Sequence, residues 1–346
     1  MSELKVDKVS PRTGTYVSLN TVGSKNIIIN GDMSIAQRST SVASITGSGY
    51  YTVDRMGLGM SGTGTFTQSQ DTDVPSGQGF AKSLKFDCTT ANGSLGASSI
   101  MQIQYKIEGQ NVQYLKKGTA NAESLTLSFW VKSNKTGTYI AELGDADNTR
   151  QISKAYTIDS ASTWEKKTLT FAGDTTGTLD NDNATSLQLN FWLVSGTDYS
   201  SGTLSTTWTS TTQTNRAVGQ VNLADNTANE WFITGVQLEA GTTASDFEFL
   251  PYDVNLQRCQ RYYEEIYFAF KVPTEGVTDL ASAIGGMGYF SVTKRAAPTV
   301  TRTDNTSENI DTLTTTALNI GIEFNGRVTT GTRSRWIGGA KADAEL

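Results

Sequence analysis

The chain has 346 residues, of which 37% are hydrophobic and 18% charged, and 28 basic against 34 acidic residues give a net charge of −6. Without a lysine and arginine cluster it lacks the electrostatic footprint of a nucleic-acid-binding protein. The absence of histidine excludes Ser-His-Asp and Cys-His catalytic groups and histidine-based zinc sites. We therefore expect that the protein is not an enzyme.

Residues 1–24 are predicted to be an extended segment that packs on another molecule, because two short alternating stretches cannot bury a core alone. An ordinary disordered tail is the alternative. This N-terminus has no apolar signal-peptide core, and nowhere do 18 apolar residues run together. We therefore expect that the chain does not span a membrane and that it is assembled in the cytoplasm.

Residues 25–252 carry the pattern of an all-β jelly-roll β-sandwich. Short strands rich in Thr and Val alternate apolar and polar residues, and turns rich in Asn, Asp and Gly separate them. No repeat of 20 to 50 residues is visible, which argues against the β-helix of depolymerase tailspikes. Two stretches show the alternation most clearly: Leu125, Leu127, Phe129 and Val131, and Leu187, Leu189, Phe191 and Leu193.

Residues 253–272 are predicted to form a short helical connector of about three turns. Asp253 can serve as the N-cap, and apolar residues recur at helical spacing from Leu256 to Ile266. Residues 273–346 are predicted to form a small C-terminal β domain. It has too few large apolar groups to fold as a monomer, so we expect three identical chains to complete its core.

The two cysteines, Cys88 and Cys259, lack metal-ligand spacing. Cys88 shares a strand face with Leu84 and Phe86, and Cys259 lies on the apolar side of the predicted helix. We interpret both as buried thiols, and a disulfide between them remains the alternative.

Several segments resemble bacteriophage tail or head fibre proteins of the marine podovirus or cyanophage kind, whose jelly rolls are similar to carbohydrate-binding modules. They are NIIINGDM, YTVDRM, LSFWVKSNKTGTY, TWEKKTLTFAGDTTGT, ITGVQLEAG and LQRCQRYYE. The resemblance implies a homotrimeric virion fibre. In it the segment at Asn26 opens the sandwich and the segment at Ile233 closes it.

The N-terminal pattern KVDxxxPRxGT resembles the segment that docks such fibres onto the virion, through the tail adaptor or nozzle or through capsid proteins. It implies five attachment residues: Val6, Asp7, Pro11, Arg12 and Gly14. The implied function is recognition of host-surface polysaccharide by weak, repeated contacts. A structural decoration or spacer protein of the virion is the alternative, and a polysaccharide depolymerase is a third.

Aromatic residues are the expected sugar contacts, since a pyranose ring stacks on a flat apolar face. Trp208, in a polar loop, is the first candidate, with Tyr199 and Arg216 near it in sequence; a second group is Arg333, Arg335 and Trp336. Three further tryptophans (Trp130, Trp192 and Trp231) each adjoin a phenylalanine on the opposite strand face, so one of each pair should be exposed or at an interface. For the tryptophans themselves we favour packing in the core or in the trimer over sugar contact.

We expect no cofactor other than a structural calcium, which related jelly rolls often hold between the opening and closing strands. Asp32 and Glu239 are the candidate ligands that this resemblance implies. The role would be stabilisation, since nothing in the sequence indicates an activated water.

Overall fold

The computed structural model of the protein describes residues 25–273, 283–308, 310–328 and 333–346. The predicted attachment segment lies outside them, with its five candidate residues Val6, Asp7, Pro11, Arg12 and Gly14. The described residues form these strands and helices: β1 (Ser41–Ile45), β2 (Gly57–Ser61), β3 (Thr65–Asp71), β4 (Ser83–Thr90), β5 (Ile100–Glu108), β6 (Leu125–Ser133), β7 (Gly137–Asp145), β8 (Arg150–Ile158), β9 (Glu165–Phe171), β10 (Thr185–Ser195), α1 (Thr197–Ser200), β11 (Thr209–Ser210), β12 (Glu230–Ala240), α2 (Tyr252–Gln260), β13 (Tyr263–Pro273), β14 (Ala283–Tyr289), β15 (Thr299–Glu308), β16 (Ile310–Leu318), β17 (Gly321–Val328) and β18 (Arg333–Asp343).

Two six-stranded antiparallel sheets face each other and form a β-sandwich. The first sheet has the order β1-β3-β4-β12-β6-β9 and the second the order β11-β8-β7-β10-β5-β2. From β4 to β7 each successive strand changes sheet, as does each from β8 to β10, which is the kind of crossing that a jelly roll requires. The predicted β-sandwich is confirmed.

The core lies between the two sheets, where alternate side chains of each strand meet. The rings of Phe129 on β6 and Phe191 on β10 pack edge to face across the sheets, with centroids 5.0 Å apart. Such an aromatic pair adds about 0.5–1.5 kcal/mol to the gain from burial. The alternating residues predicted to share these inner faces are all buried: Leu125, Leu127, Phe129, Val131, Leu187, Leu189, Phe191 and Leu193.

The segment after Asn26 lies beside β12, so the opening and closing segments of the sandwich are neighbours as expected. The Ile27 amide donates to the Leu238 carbonyl at 2.9 Å, and the Val236 amide to the Gly31 carbonyl at 2.9 Å. A side chain at position 31 would place its Cβ 2.1 Å from the Val236 carbonyl oxygen. This close approach of two backbones explains the glycine.

The predicted helix is shorter than expected. α2 ends at Gln260, its N-cap residue is Pro251 rather than Asp253, and Asp253 lies in the first turn. Residues from Tyr263 onward, including Ile266, form β13, which pairs with β18 along its full eleven-residue length. The same apolar residues fit a helix stripe or a strand, and the long-range partner β18 decides in favour of the strand.

The C-terminal part consists of two three-stranded antiparallel sheets, ordered β13-β18-β15 and β14-β17-β16. Its buried apolar cluster is small: Phe290, Ile322, Phe324, Ala340 and Ala342. The tail after β18 returns to the sandwich, where Glu345 forms ion pairs with Arg38 and Arg55.

Both cysteines, Cys88 and Cys259, are buried free thiols, as interpreted from the sequence. Burial raises the pKa of the Cys259 thiol well above its usual value. Neither α2 nor the shorter α1 is long and apolar enough to cross a bilayer, and the same holds for every helix in the described residues.

Candidate functional site

Polar side chains cover the outer face of the second sheet. Strand pairing places Gln104, Asn190, Glu142 and Ser153 in one row across β5, β10, β7 and β8. Neighbouring rows on either side bring further amides and an ammonium to the same face. We call this surface the polar face and define it by six residues: Gln102, Gln104, Lys106, Glu142, Gln188 and Asn190.

Glu142 organises the polar face. Its carboxylate accepts hydrogen bonds from the Trp192 indole at 2.9 Å, from the Asn190 amide at 3.1 Å, and from Arg216 Nε and Nη2 at 2.8 and 3.0 Å. The side chain is only 1% exposed. Because four donors converge on a buried carboxylate, Arg216 and Asn190 are held in fixed positions.

The hydrogen-bonding capacity of this face is not exhausted. Gln102 is 3% exposed, and among the described residues its Oε1 has no hydrogen-bond partner. Buried polar atoms are nearly always paired with protein or with ordered water. Gln104 lies on the same strand face two residues along and is half-buried. The Gln102 oxygen lies too deep to be reached from solvent, so the partly exposed Gln104 amide is the group on this strand that can bond a polar ligand or water.

At one end of the polar face lies an open depression of ≈ 500 Å³, lined by Tyr199, Arg216, Asp198 and Gln213 among others. The Tyr199 ring packs on the Trp192 ring, with centroids 5.4 Å apart, and the Arg216 guanidinium lies 5.0 Å from the centroid of the same indole. Trp192 itself is fully covered, so it supports the depression and does not line it.

The opposite end of the polar face is closed by the C-terminal tail. The Lys106 ammonium donates to the Leu346 carbonyl at 2.6 Å. Burial and, after it, the nearby Arg55 guanidinium lower the pKa of Lys106. The tail covers this end, and in the central rows Gln104 and Gln188 are partly exposed while Gln102, Glu142 and Asn190 are buried. The depression is the more open part of the surface.

Two of the three residues first predicted as glycan contacts, Tyr199 and Arg216, line the same depression. Trp208 does not join them. Its indole donates to the Ala172 carbonyl at 2.8 Å, and its ring lies 5.2 Å from the ammonium of buried Lys117. Trp208 is partly buried and packs against the core, and its role as a sugar contact stays a prediction.

Of the three tryptophan–phenylalanine pairs, only the pair Phe129–Trp130 leaves one ring partly exposed, that of Trp130. In the other two pairs both rings are buried, because residues after β10 cover Trp192 and the Lys132 side chain covers Phe232. The expectation of an exposed ring was wrong for those two pairs.

The second predicted group is in β18, but its side chains, those of Arg333, Arg335 and Trp336, lie outside the described part of the structure.

The two residues predicted to hold calcium have different hydrogen-bond partners. The Asp32 carboxylate accepts from Ser34 and Asn255, both at 3.1 Å. The Glu239 carboxylate is bonded instead by Gln237 and Ser245. The described residues contain no group of three or more Cys, Asp or Glu side chains that could hold a metal ion. The calcium site at Asp32 and Glu239 stays a prediction.

The sequence reasoning missed Gln102, Gln104, Glu142 and Asn190. Each alternates with core residues along its strand, for example Gln102 and Gln104 with Met101 and Ile103. That local alternation could have marked them as outward-facing. It could not show that β5, β10 and β7 are neighbours.

No protein-family model matches the chain, and no curated protein matches its sequence. Among solved structures, it is similar to the enzymatically active domain of tailspike protein 4 of bacteriophage CBA120, at 15% identity and a TM-score of 0.33. That alignment covers 62% of this chain and 21% of that chain. A CBM4 domain is similar at 13% identity and a TM-score of 0.30, over 63% of this chain and 99% of its own.

A third similar structure is TmCBM61 in complex with β-1,4-galactotriose, at 11% identity and a TM-score of 0.31, over 63% of this chain and 99% of that chain. The assignment of a β-sandwich rests on the two sheets themselves.

Proposed function

We propose that the chain is a bacteriophage virion fibre subunit that recognises glycans on the host surface. The observation that carries the binding part is the depression at the end of the polar face, where Glu142 fixes Arg216 beside Tyr199. Amides, a guanidinium and an aromatic ring are the groups that recognise sugar hydroxyls and the apolar edge of a pyranose.

The fibre part of the proposal is supported by the sequence motifs. On this view residues 1–24 attach the chain to tail or capsid proteins, and three chains complete one another in the C-terminal domain. The protein then acts as an adhesin in the virion and not as an enzyme.

A shallow sugar site binds weakly, with a dissociation constant of about 1 mM, or roughly −4 kcal/mol. Three linked copies raise the overall affinity through effective concentration. A trimer therefore makes a weak polar face useful for attachment.

A bulky substitution that covers the polar face tests whether this surface binds glycans. Gly144 lies in the row beside Gln188, and an added Cβ there would meet only the Gln188 carbonyl, at 4.0 Å, so Gly144→Tyr introduces a large side chain on this face from an uncrowded Cβ position. Gly93 is an exposed loop glycine with nothing within 4 Å of an added Cβ, and Gly93→Tyr is the matched control.

Binding of the full chain to an array of bacterial surface polysaccharides is measured for both variants. We expect Gly144→Tyr to lose about tenfold in apparent affinity and Gly93→Tyr to lose none. Equal binding by all three proteins would refute the polar face as the site.

Two further outcomes would replace the proposed function. Absence of binding to any polysaccharide and to host cells by the unmodified chain would favour the virion decoration protein. Release of reducing ends from host polysaccharide would establish a depolymerase.

A further inference from the structure

A second concave site lies on the outer face of the first sheet, on the other side of the sandwich from the polar face. It is a cleft of ≈ 250 Å³ whose floor includes Trp130 on β6. Strand pairing places Trp130 between Thr234 of β12 and Lys166 of β9. We call it the aromatic cleft and define it by six lining residues: Phe80, Trp130, Lys166, Asp246, Phe247 and Phe249.

Three phenylalanines form one wall of the aromatic cleft. The ring centroids of Phe80, Phe247 and Phe249 lie 4.8 to 5.1 Å apart, in tilted and edge-to-face arrangements. Phe249 is nevertheless 50% exposed. A half-exposed ring in an ordered aromatic cluster beside a partly exposed tryptophan is typical of a ligand site.

Two glycines make room for this wall. Gly235 has a φ of +62° and lies at the register shift of β12, and an added Cβ would be 2.5 Å from the Phe80 ring. Gly79, at φ +84°, would place a Cβ 3.2 Å from the Phe249 ring. The local bulge therefore brings the rings onto the sheet, as bulges near binding sites often do.

The rim of the aromatic cleft carries one cation and one anion. Lys166 and Asp246 are both exposed, and within the described residues neither side chain forms an ion pair. Since the two charges balance, the rim favours a neutral ligand with hydroxyl groups over an anion. The cleft is lined by ten residues, whereas a standard protein interface takes about 20–30 residues from each partner.

We propose that the aromatic cleft is a second saccharide-binding site, which takes a neutral pyranose unit. The apolar face of the sugar ring stacks on Trp130 or Phe249, and its hydroxyls bond to Lys166 and Asp246. This inference does not depend on the polar face, since either site can bind without the other. With both, one chain contacts glycans from two sides of the sandwich.

The experiment uses the full chain labelled with 5-fluorotryptophan and ¹⁹F NMR. Substitution to phenylalanine at Trp130 and at Trp192 assigns the two resonances that report on the aromatic cleft and on the polar face. The probes are β-1,4-galactotriose, xylohexaose and cellohexaose at millimolar concentration. We expect the Trp130 resonance to shift with at least one probe and to saturate.

Phe249→Ala is the test variant, and Tyr252→Ala is its control, because Tyr252 is 63% exposed and does not line the cleft. We expect about a tenfold weaker response of Trp130 in the first variant and none in the second.

A Trp130 resonance that stays in place with all three probes overturns the proposal, whatever the Trp192 resonance does. A Trp130 shift that follows protein concentration in the absence of sugar also overturns it, because a second copy then occupies the cleft. Movement of Trp192 alone supports the polar face and counts against the aromatic cleft.

Discussion

Replacing Glu142 by glutamine tests whether a single buried carboxylate holds the polar face together. The carboxylate accepts four hydrogen bonds from Trp192, Asn190 and Arg216 and is only 1% exposed. Glutamine keeps one acceptor oxygen and replaces the other by an NH₂ group, which is a donor. At least one of the converging donors then faces another donor.

The expected loss in the free energy of unfolding follows from these contacts. Removing one partner of a buried ion pair costs about 3–5 kcal/mol, and a single hydrogen bond to a charged group contributes about 1.5–3 kcal/mol. The Arg216 side chain is 17% exposed, so water partly rehydrates its guanidinium in the variant. We therefore expect Glu142→Gln to lower the free energy of unfolding by about 2–4 kcal/mol.

Urea unfolding, followed by tryptophan fluorescence, measures this loss. Glu123→Gln is the control, because Glu123 pairs with Lys116 in an exposed ion pair at 3.0 Å and should change stability by less than about 0.5 kcal/mol. Adding Arg216→Met to Glu142→Gln should restore part of the stability, since it removes the unpaired guanidinium. Equal midpoints for Glu142→Gln and the control would refute the reasoning.

Three more predictions concern other parts of the fold. Burial raises the pKa of Asp54 to about 6, so the folded chain holds this proton more tightly than the unfolded chain. The contribution of Asp54 to the free energy of unfolding is therefore lost as pH rises from about 4 to 6. Urea titrations of the wild type and of Asp54→Asn should show that the stability of the variant relative to the wild type rises by up to about 3 kcal/mol between pH 4 and 7. A difference in stability that stays constant with pH would contradict this. Glu345→Gln leaves Arg55, whose side chain is 1% exposed, without its anion, and should cost about 3–5 kcal/mol by urea unfolding, whereas a loss below about 0.5 kcal/mol would show the pair to be dispensable. Gly235→Ala adds a Cβ at φ +62° against the Phe80 ring and should cost about 2–4 kcal/mol, measured as a lower midpoint; an unchanged midpoint would mean that the bulge relaxes freely.

The alternation of apolar residues along the chain by itself determined much of the fold. It marked the inner faces of β6 and β10 and the buried Cys88 correctly, and the helical spacing of apolar residues did the same for Cys259. It also put Trp130 and Phe129 on opposite faces of β6, with Trp130 partly exposed. These properties are local, because the pleat of a strand alone decides which side chains share a face.

Only the tertiary structure shows which strands and side chains become neighbours. Glu142 meets Arg216, which is 74 residues away, only because β7 adjoins β10 and the segment after β10 folds back over the second sheet. Another long-range pairing, with β18, makes the residues from Tyr263 onward the strand β13. The Trp208 indole bonds to the Ala172 carbonyl, 36 residues away in sequence. Which strands become neighbours depends on contacts distant in sequence, so the polar face and the aromatic cleft exist only in the folded chain.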